Sequence, residues 1–161
     1  MFPRPWKQRR DDSIAEANFL SLCNFKKGEY LEKKSIKARK NGEEASADSL
    51  KGLAFEWYAK SLDDESTTDC ELNDEAKGDL AYRLADDLYR KGSYSEARSL
   101  CYQSAKYKPS WGKPYMLIGT MYASSGKRCS GGAGTGWDAQ VVAWAAIDMW
   151  SKARSLSLIH I

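Results

Sequence analysis

The chain has 161 residues, of which 29% are charged and 12% aromatic, a composition that excludes an intrinsically disordered chain. Its net charge of +3 gives no general drive towards nucleic acid, and no run approaches the roughly 18 apolar residues needed to cross a bilayer. With His160 as its one histidine, the chain lacks the residues for most nucleophile–base triads and for HExxH-type zinc motifs.

In chain order, residues 1–13 read as a basic, disordered tail. Met1-Phe2-Pro3-Arg4-Pro5-Trp6 leads into charged residues rather than an apolar stretch, so no secretion signal is legible and the chain reads as soluble. The segment Phe25-Lys26-Lys27-Gly28-Glu29-Tyr30 closely matches Tyr89-Arg90-Lys91-Gly92-Ser93-Tyr94. Glycine just past a helix supplies a left-handed residue without a Cβ clash, so the match predicts a helix over 14–27 that ends at Gly28. A second helix is expected over 46–62, and the two form a degenerate helical hairpin spanning 14–66. Lys33 is the departure, since a small packed residue is expected there.

Charge is unevenly placed along this half. Lys26, Lys27, Lys33, Lys34, Lys37, Arg39 and Lys40 make the first third basic, while Asp63, Asp64, Glu65, Asp69, Glu71, Asp74, Glu75 and Asp79 make the middle acidic. This implies two solvated surfaces that attract each other or, in the sharper reading, a basic docking face for an acidic partner. Residues 67–77 read as an acidic linker that runs into the next helix, with Asn73 as that helix's cap.

The clearest unit is 78–111. Leu80, Ala81, Leu84, Ala85 and Leu88 share a helical face, and Gly92 ends that helix. Ser93 and Glu96 have the spacing of a capping box for a second helix, whose apolar face is Ala97, Leu100, Cys101, Ser104 and Ala105. Pro109 closes the unit. The next unit, 112–156, is expected to start with Ser110 as cap and Pro114 in its first turn. Tyr115, Ile118, Gly119, Tyr122 and Gly126 repeat the pattern, with Gly126 as the helix-ending glycine. Ala146, Trp150 and Ala153 then fit a second helix only if a glycine-rich insertion occupies about 127–138.

These units resemble the tetratricopeptide repeat, a helix-turn-helix with small residues where its helices meet and a proline at its close. Leu84, Ala85, Leu88, Gly92, Tyr94, Ala97 and Pro109 fall in the family's positions, while Ala81 and Cys101 replace its usual aromatics. The resemblance implies an all-α fold of antiparallel helix-turn-helix repeats stacked as a short α-solenoid. It also implies a groove lined by the first helices of successive repeats, where a partner's segment lies. Carried onto this chain, the groove positions are Asp79, Tyr82, Asp86, Tyr89 and Arg90 from one repeat and Lys113, Met116 and Thr120 from the next. The lysine and asparagine clamp with which one subgroup of the family grips a partner's C-terminal carboxylate is not supported here. Tyr82, Asp86, Met116 and Thr120 stand where it would be sought.

Little else points to chemistry. Gly131 and Gly136 have Walker spacing, but Trp137 and Asp138 stand where lysine and a hydroxyl are needed. Cys129 is the one candidate nucleophile, with Lys127 and Arg128 beside it to favour the thiolate, but it has no base or oxyanion site. Adjacent acids such as Asp63/Asp64 and Asp86/Asp87 point about 100° apart on a helix and do not converge. The four cysteines, Cys23, Cys70, Cys101 and Cys129, lack metal spacing and read as unpaired thiols, with one or two disulfides if the protein is exported. Trp111, Trp137, Trp144 and Trp150 read as core or as burial against a following repeat. Ser157-Leu158-Ile159-His160-Ile161 resembles translated adapter sequence, so 157–161 is expected to be an artefactual tail. The leading expectation is a non-catalytic scaffold or adaptor, of the kind found in bacterial complexes. It binds a protein or peptide and takes no cofactor, metal, nucleic acid or small-molecule substrate, and it does not insert into a membrane. The alternatives are a structural spacer and, remotely, a nucleotide- or thiol-dependent enzyme built on the 127–138 loop.

Overall fold

The computed structural model describes residues 18–20, 22–63, 70, 72–129 and 136–157, and all regular structure among them is helical. The chain divides into two compact units, Met1–Glu71 and Leu72–Ile161. The first holds α1 (Asn24–Lys40) and α2 (Glu44–Asp63). The second holds α3 (Asp74–Arg90), α4 (Tyr94–Tyr107), α5 (Lys113–Cys129) and α6 (Gly136–Ser157). Consecutive helices pack as the pairs α1/α2, α3/α4 and α5/α6, and α5 also packs on α4 and touches α3. None of the described helices is long and apolar enough to cross a membrane.

The helix break in the first unit lies at Asn41-Gly42, not at Gly28. Gly42 has φ +80°, and the amide of Glu43 donates back to the carbonyl of Ala38 at 3.0 Å. The same turn recurs fifty positions later, where Gly92 has φ +83° and the amide of Ser93 donates to Leu88 at 2.9 Å. Both are helix-ending motifs in which glycine avoids a left-handed penalty of about 1–2 kcal/mol. Gly28 instead sits buried inside α1. A Cβ there would lie 2.5 Å from the Tyr58 ring, so the missing side chain is what lets this fully buried aromatic of α2 reach α1. The hydroxyl of Tyr58 donates to Glu32 at 2.7 Å. The predicted helix over 14–27 is interrupted rather than continuous: 18–20 are helical, Leu22 and Cys23 are not, α1 begins at Asn24, and 14–17 lie outside the described residues.

Moving the turn also accounts for Lys33. The small residues required where α1 meets α2 are Ser35, Ala38, Ala47 and Ala54, all buried, and Lys33 is exposed. The hydroxyl of Ser35 donates to the carbonyl of Ala47 at 2.7 Å, fastening the two helices. A disulfide joins Cys23, just before α1, to Cys70, beyond α2, with their Cα atoms 6.3 Å apart. These two cysteines are therefore not unpaired thiols.

In the second unit Asn73 caps α3, its side chain accepting from the amide of Ala76 at 2.8 Å. Asp74 and Glu75 in the first turn complement the positive end of the helix. Leu80, Ala81, Leu84 and Ala85 are buried on one face. Ser93 occupies the N-cap of α4, yet its side chain makes no capping bond, so the predicted capping box is absent. Ala97, Cys101, Ser104 and Ala105 face inwards, and the hydroxyl of Ser104 donates to the carbonyl of Gly78 at 2.7 Å.

Gly112 rather than Ser110 precedes α5, accepting from the amide of Met116, and Pro114 is fully buried in the first turn. The helix runs through Gly126 to Cys129, so Gly126 is not a helix-ending glycine. Ile118 and Met121, at 0% and 1% exposure, join Ala85, Ala97, Cys101 and Leu117 in one core drawn from α3, α4 and α5. Ala146 and Ala153 bury α6 against α5, and the Trp150 indole lies where a Cβ on Gly119 would be. Gly28 and Gly119 thus do the same job in different pairs: each lets an aromatic from the second helix cross the first.

Candidate functional site

Helical spacing places Asp79, Tyr82, Asp86, Tyr89 and Arg90 along one face of α3, beside the buried stripe. Lys113, Met116 and Thr120 follow the same spacing on α5. Asp79, Arg90, Lys113 and Met116 are exposed, whereas Tyr82, Asp86, Tyr89 and Thr120 are half-buried. The two helices touch, and their side chains connect this strip at both of its ends.

One end is built around Trp111, in the short segment between α4 and α5. Its ring meets Tyr82 edge-on at 5.0 Å, and the Lys113 ammonium stands 5.6 Å from the ring centre. A second ammonium, that of Lys108, lies 4.3 Å from the same ring and donates to Asp79 at 2.8 Å. The stem of Lys108 runs across Gly78, where a Cβ would lie 2.6 Å from its Cγ. Asp79, Tyr82 and Lys113 are therefore brought together through two residues, Lys108 and Trp111, that the groove positions did not include.

At the other end Tyr89 reaches α5. Its hydroxyl lies 3.4 Å from that of Ser124, which donates to the carbonyl of Thr120 at 2.7 Å. Thr120 donates in turn to the carbonyl of Met116 at 2.9 Å. That carbonyl also receives the indole N–H of Trp150 at 3.3 Å, so α6 braces α5 directly behind Met116. Between the two ends Asp86 is held by Arg90 at 2.9 Å. The Met116 side chain is half exposed, and no charged group intervenes between it and Thr120 on the face of α5.

Burial dominates the electrostatics beneath the strip. Burial, reinforced by the Asp86 carboxylate and the Cys101 sulfur and partly opposed by Arg90, pushes the Tyr82 phenol upwards, so it stays a neutral hydrogen-bonding group. Burial, reinforced by Asp86, pushes the Cys101 thiol up to about 12. Its unfolded value is 9.0, so the folded state holds its proton more tightly, and stability is retained below that value and falls as pH rises from about 9 towards about 12. Cys101 is consequently expected to resist an alkylating reagent near neutral pH and to react once the chain is unfolded, as measured by mass. Rapid alkylation of the folded chain at this residue would contradict its burial.

Of the other sequence expectations, the centre of the glycine-rich insertion, 130–135, lies outside the described residues, as do 1–17 and 158–161. Trp144 is largely exposed on α6, at 55%, and so is not core. Among the described residues no group of three or more His, Cys, Asp or Glu is placed to hold a metal ion. Trp111 carried a legible signal, a tryptophan flanked at two- and three-residue spacing by Lys113 and Lys108 and set in a connecting segment. Ser124 carried none, because its part depends on α5 continuing past the expected turn. Comparison of the chain with protein-family models, curated proteins and solved structures returns no match.

Proposed function

We propose that this chain is a non-catalytic binding module in which stacked, tetratricopeptide-like helix hairpins present the α3–α5 strip to a protein or peptide partner. The observation that carries this reading is the pairing of partly buried aromatics with a half-exposed methionine on two helices braced from behind. Tyr82, Tyr89 and Trp111 are held by neighbours at both ends of the strip, and Met116 is backed by Trp150. Aromatics that are already ordered lose little conformational freedom when a partner lands on them, and aromatic residues and Met are enriched at the centres of interfaces. The matched turns at Gly42 and Gly92, one in each unit, and the small residues between paired helices support the likeness of the hairpins to one another.

The experiment is selection of peptides from a displayed library on the full chain, followed by binding of the winners to Tyr82→Ala/Tyr89→Ala. Loss of about 2 kcal/mol or more is expected, as for interface anchors. Helical circular dichroism should remain, because both rings are only partly buried. Undiminished binding to the double variant would remove the strip from the account.

A further inference from the structure

We propose that the outward face of α1 is a second docking surface, one that takes an acidic protein segment and is independent of the α3–α5 strip. Lys26, Tyr30, Lys33, Lys37 and Lys40 recur at alternating spacings of four and three, opposite the buried stripe of Gly28, Leu31, Ser35 and Ala38. Lys26 is paired with Glu29 at 2.7 Å. Among the described residues Lys33, Lys37 and Lys40 have no ion-pair partner, and they stand one helical turn apart, where like charges weaken a helix. The negative end of the helix favours Lys37, Arg39 and Lys40 in the last turn, but Lys33 lies before it.

The matching helix fifty positions on shows what is missing. In α3, Asp86 pairs with Arg90 at 2.9 Å and Asp87 with Lys91 at 2.6 Å. In α1 the positions of those two acids hold Ile36 and Lys37. Ile36 is 53% exposed and stands between Lys33 and Lys40 at three- and four-residue spacing. Carboxylates carried by a partner would relieve the repulsion among the lysines, while an apolar partner side chain would cover Ile36.

A protein segment fits this face better than a nucleic acid. Arg39, the arginine of α1, is held by Asp48 at 2.6 Å. The aromatic faces that bases would stack on already carry ammonium groups, with Lys27 and Lys60 at 4.7 and 4.4 Å from Trp57 and Lys34 at 6.0 Å from Tyr30.

The test uses the full chain, a fluorescent helical peptide rich in Glu with leucines on one face, and a single-stranded oligonucleotide of equal charge, compared by anisotropy across a salt series. The peptide is expected to bind in a salt-dependent way and more tightly than the oligonucleotide. Lys33→Glu/Lys37→Glu should weaken it about tenfold, since each reversal replaces attraction by repulsion. Ile36→Ala should weaken it about threefold without changing the salt slope. The double variant keeps positions 33 and 37 alike in charge and places an acid in the last turn of α1, so its helicity is checked by circular dichroism, and Lys33→Gln/Lys37→Gln, which carries no such acid, should weaken the peptide as well. The proposal is overturned if the peptide does not bind, if the double variant binds it as the parent does, or if the oligonucleotide binds as tightly and Ile36→Ala changes nothing.

Discussion

Reduction of the Cys23–Cys70 disulfide, or the substitution Cys23→Ser, is expected to destabilise the first unit by about 4 kcal/mol. The bond closes a loop of 47 residues of sequence separation, and cross-linking a loop of that size removes roughly this much freedom from the unfolded chain. The size of the effect matters because α1 and α2 together bury few large side chains. Leu31, Tyr58 and Leu62 stand among Ser35, Ala38, Ala47, Ala54 and Ser61. A unit whose described helices bury so few large side chains depends on added constraints. Chemical denaturation followed by hydrogen exchange at the amides of α1 and α2, with and without reductant, measures the change. The second unit should be insensitive to reductant, since its described free cysteine, Cys101, is buried and unpaired. An unaltered midpoint for the first unit on reduction would contradict the structural role of the bond.

The other large effect belongs to Ile118. It is fully buried at the meeting point of α3, α4 and α5, against Ala85, Ala97, Cys101 and Met121. Ile118→Ala removes three methyl or methylene carbons from a close-packed site and should cost about 2–5 kcal/mol in the second unit. The control is the same substitution at Ile147, which is 53% exposed on α6 and should change stability by no more than about 0.5 kcal/mol. Equal losses at the two isoleucines would mean that the helices are not packed in this order. Because α5 carries Met116 and Thr120, the Ile118 variant should also loosen the α3–α5 strip before it unfolds the unit.

The second unit was the more legible part of the sequence. Asn73, the stripe Leu80-Ala81-Leu84-Ala85 and Gly92 state a start, a buried face and a stop in agreement with one another, and all three appear in the structure. The first unit misled because glycine has two uses that a sequence does not separate. At Gly92 and Gly42 it supplies a positive φ. At Gly28 and Gly119 it supplies space for Tyr58 and Trp150, which are 30 or so residues away in sequence. A short match such as Phe25–Tyr30 against Tyr89–Tyr94 is blind to that difference. Asn41-Gly42, with basic residues before it, carried the true stop signal. The groove positions on α3 and α5 are what the family resemblance implies, and helical spacing sets them along one face of each helix. Trp111 and Lys108 were missed because they lie in a connecting segment, where no period predicts which way a side chain turns. Cysteine spacing alone does not state a partner, so the sequence leaves the disulfide open.

Amide nuclear magnetic resonance with a selected peptide tests most directly whether a partner lies along α3 and α5. Shift changes should concentrate at Tyr82, Asp86, Tyr89, Trp111, Met116 and Thr120, with little change on the outward face of α4, for example at Ser95, Ser99 and Tyr102. Shift changes centred on α4, or spread evenly over the second unit, would contradict it.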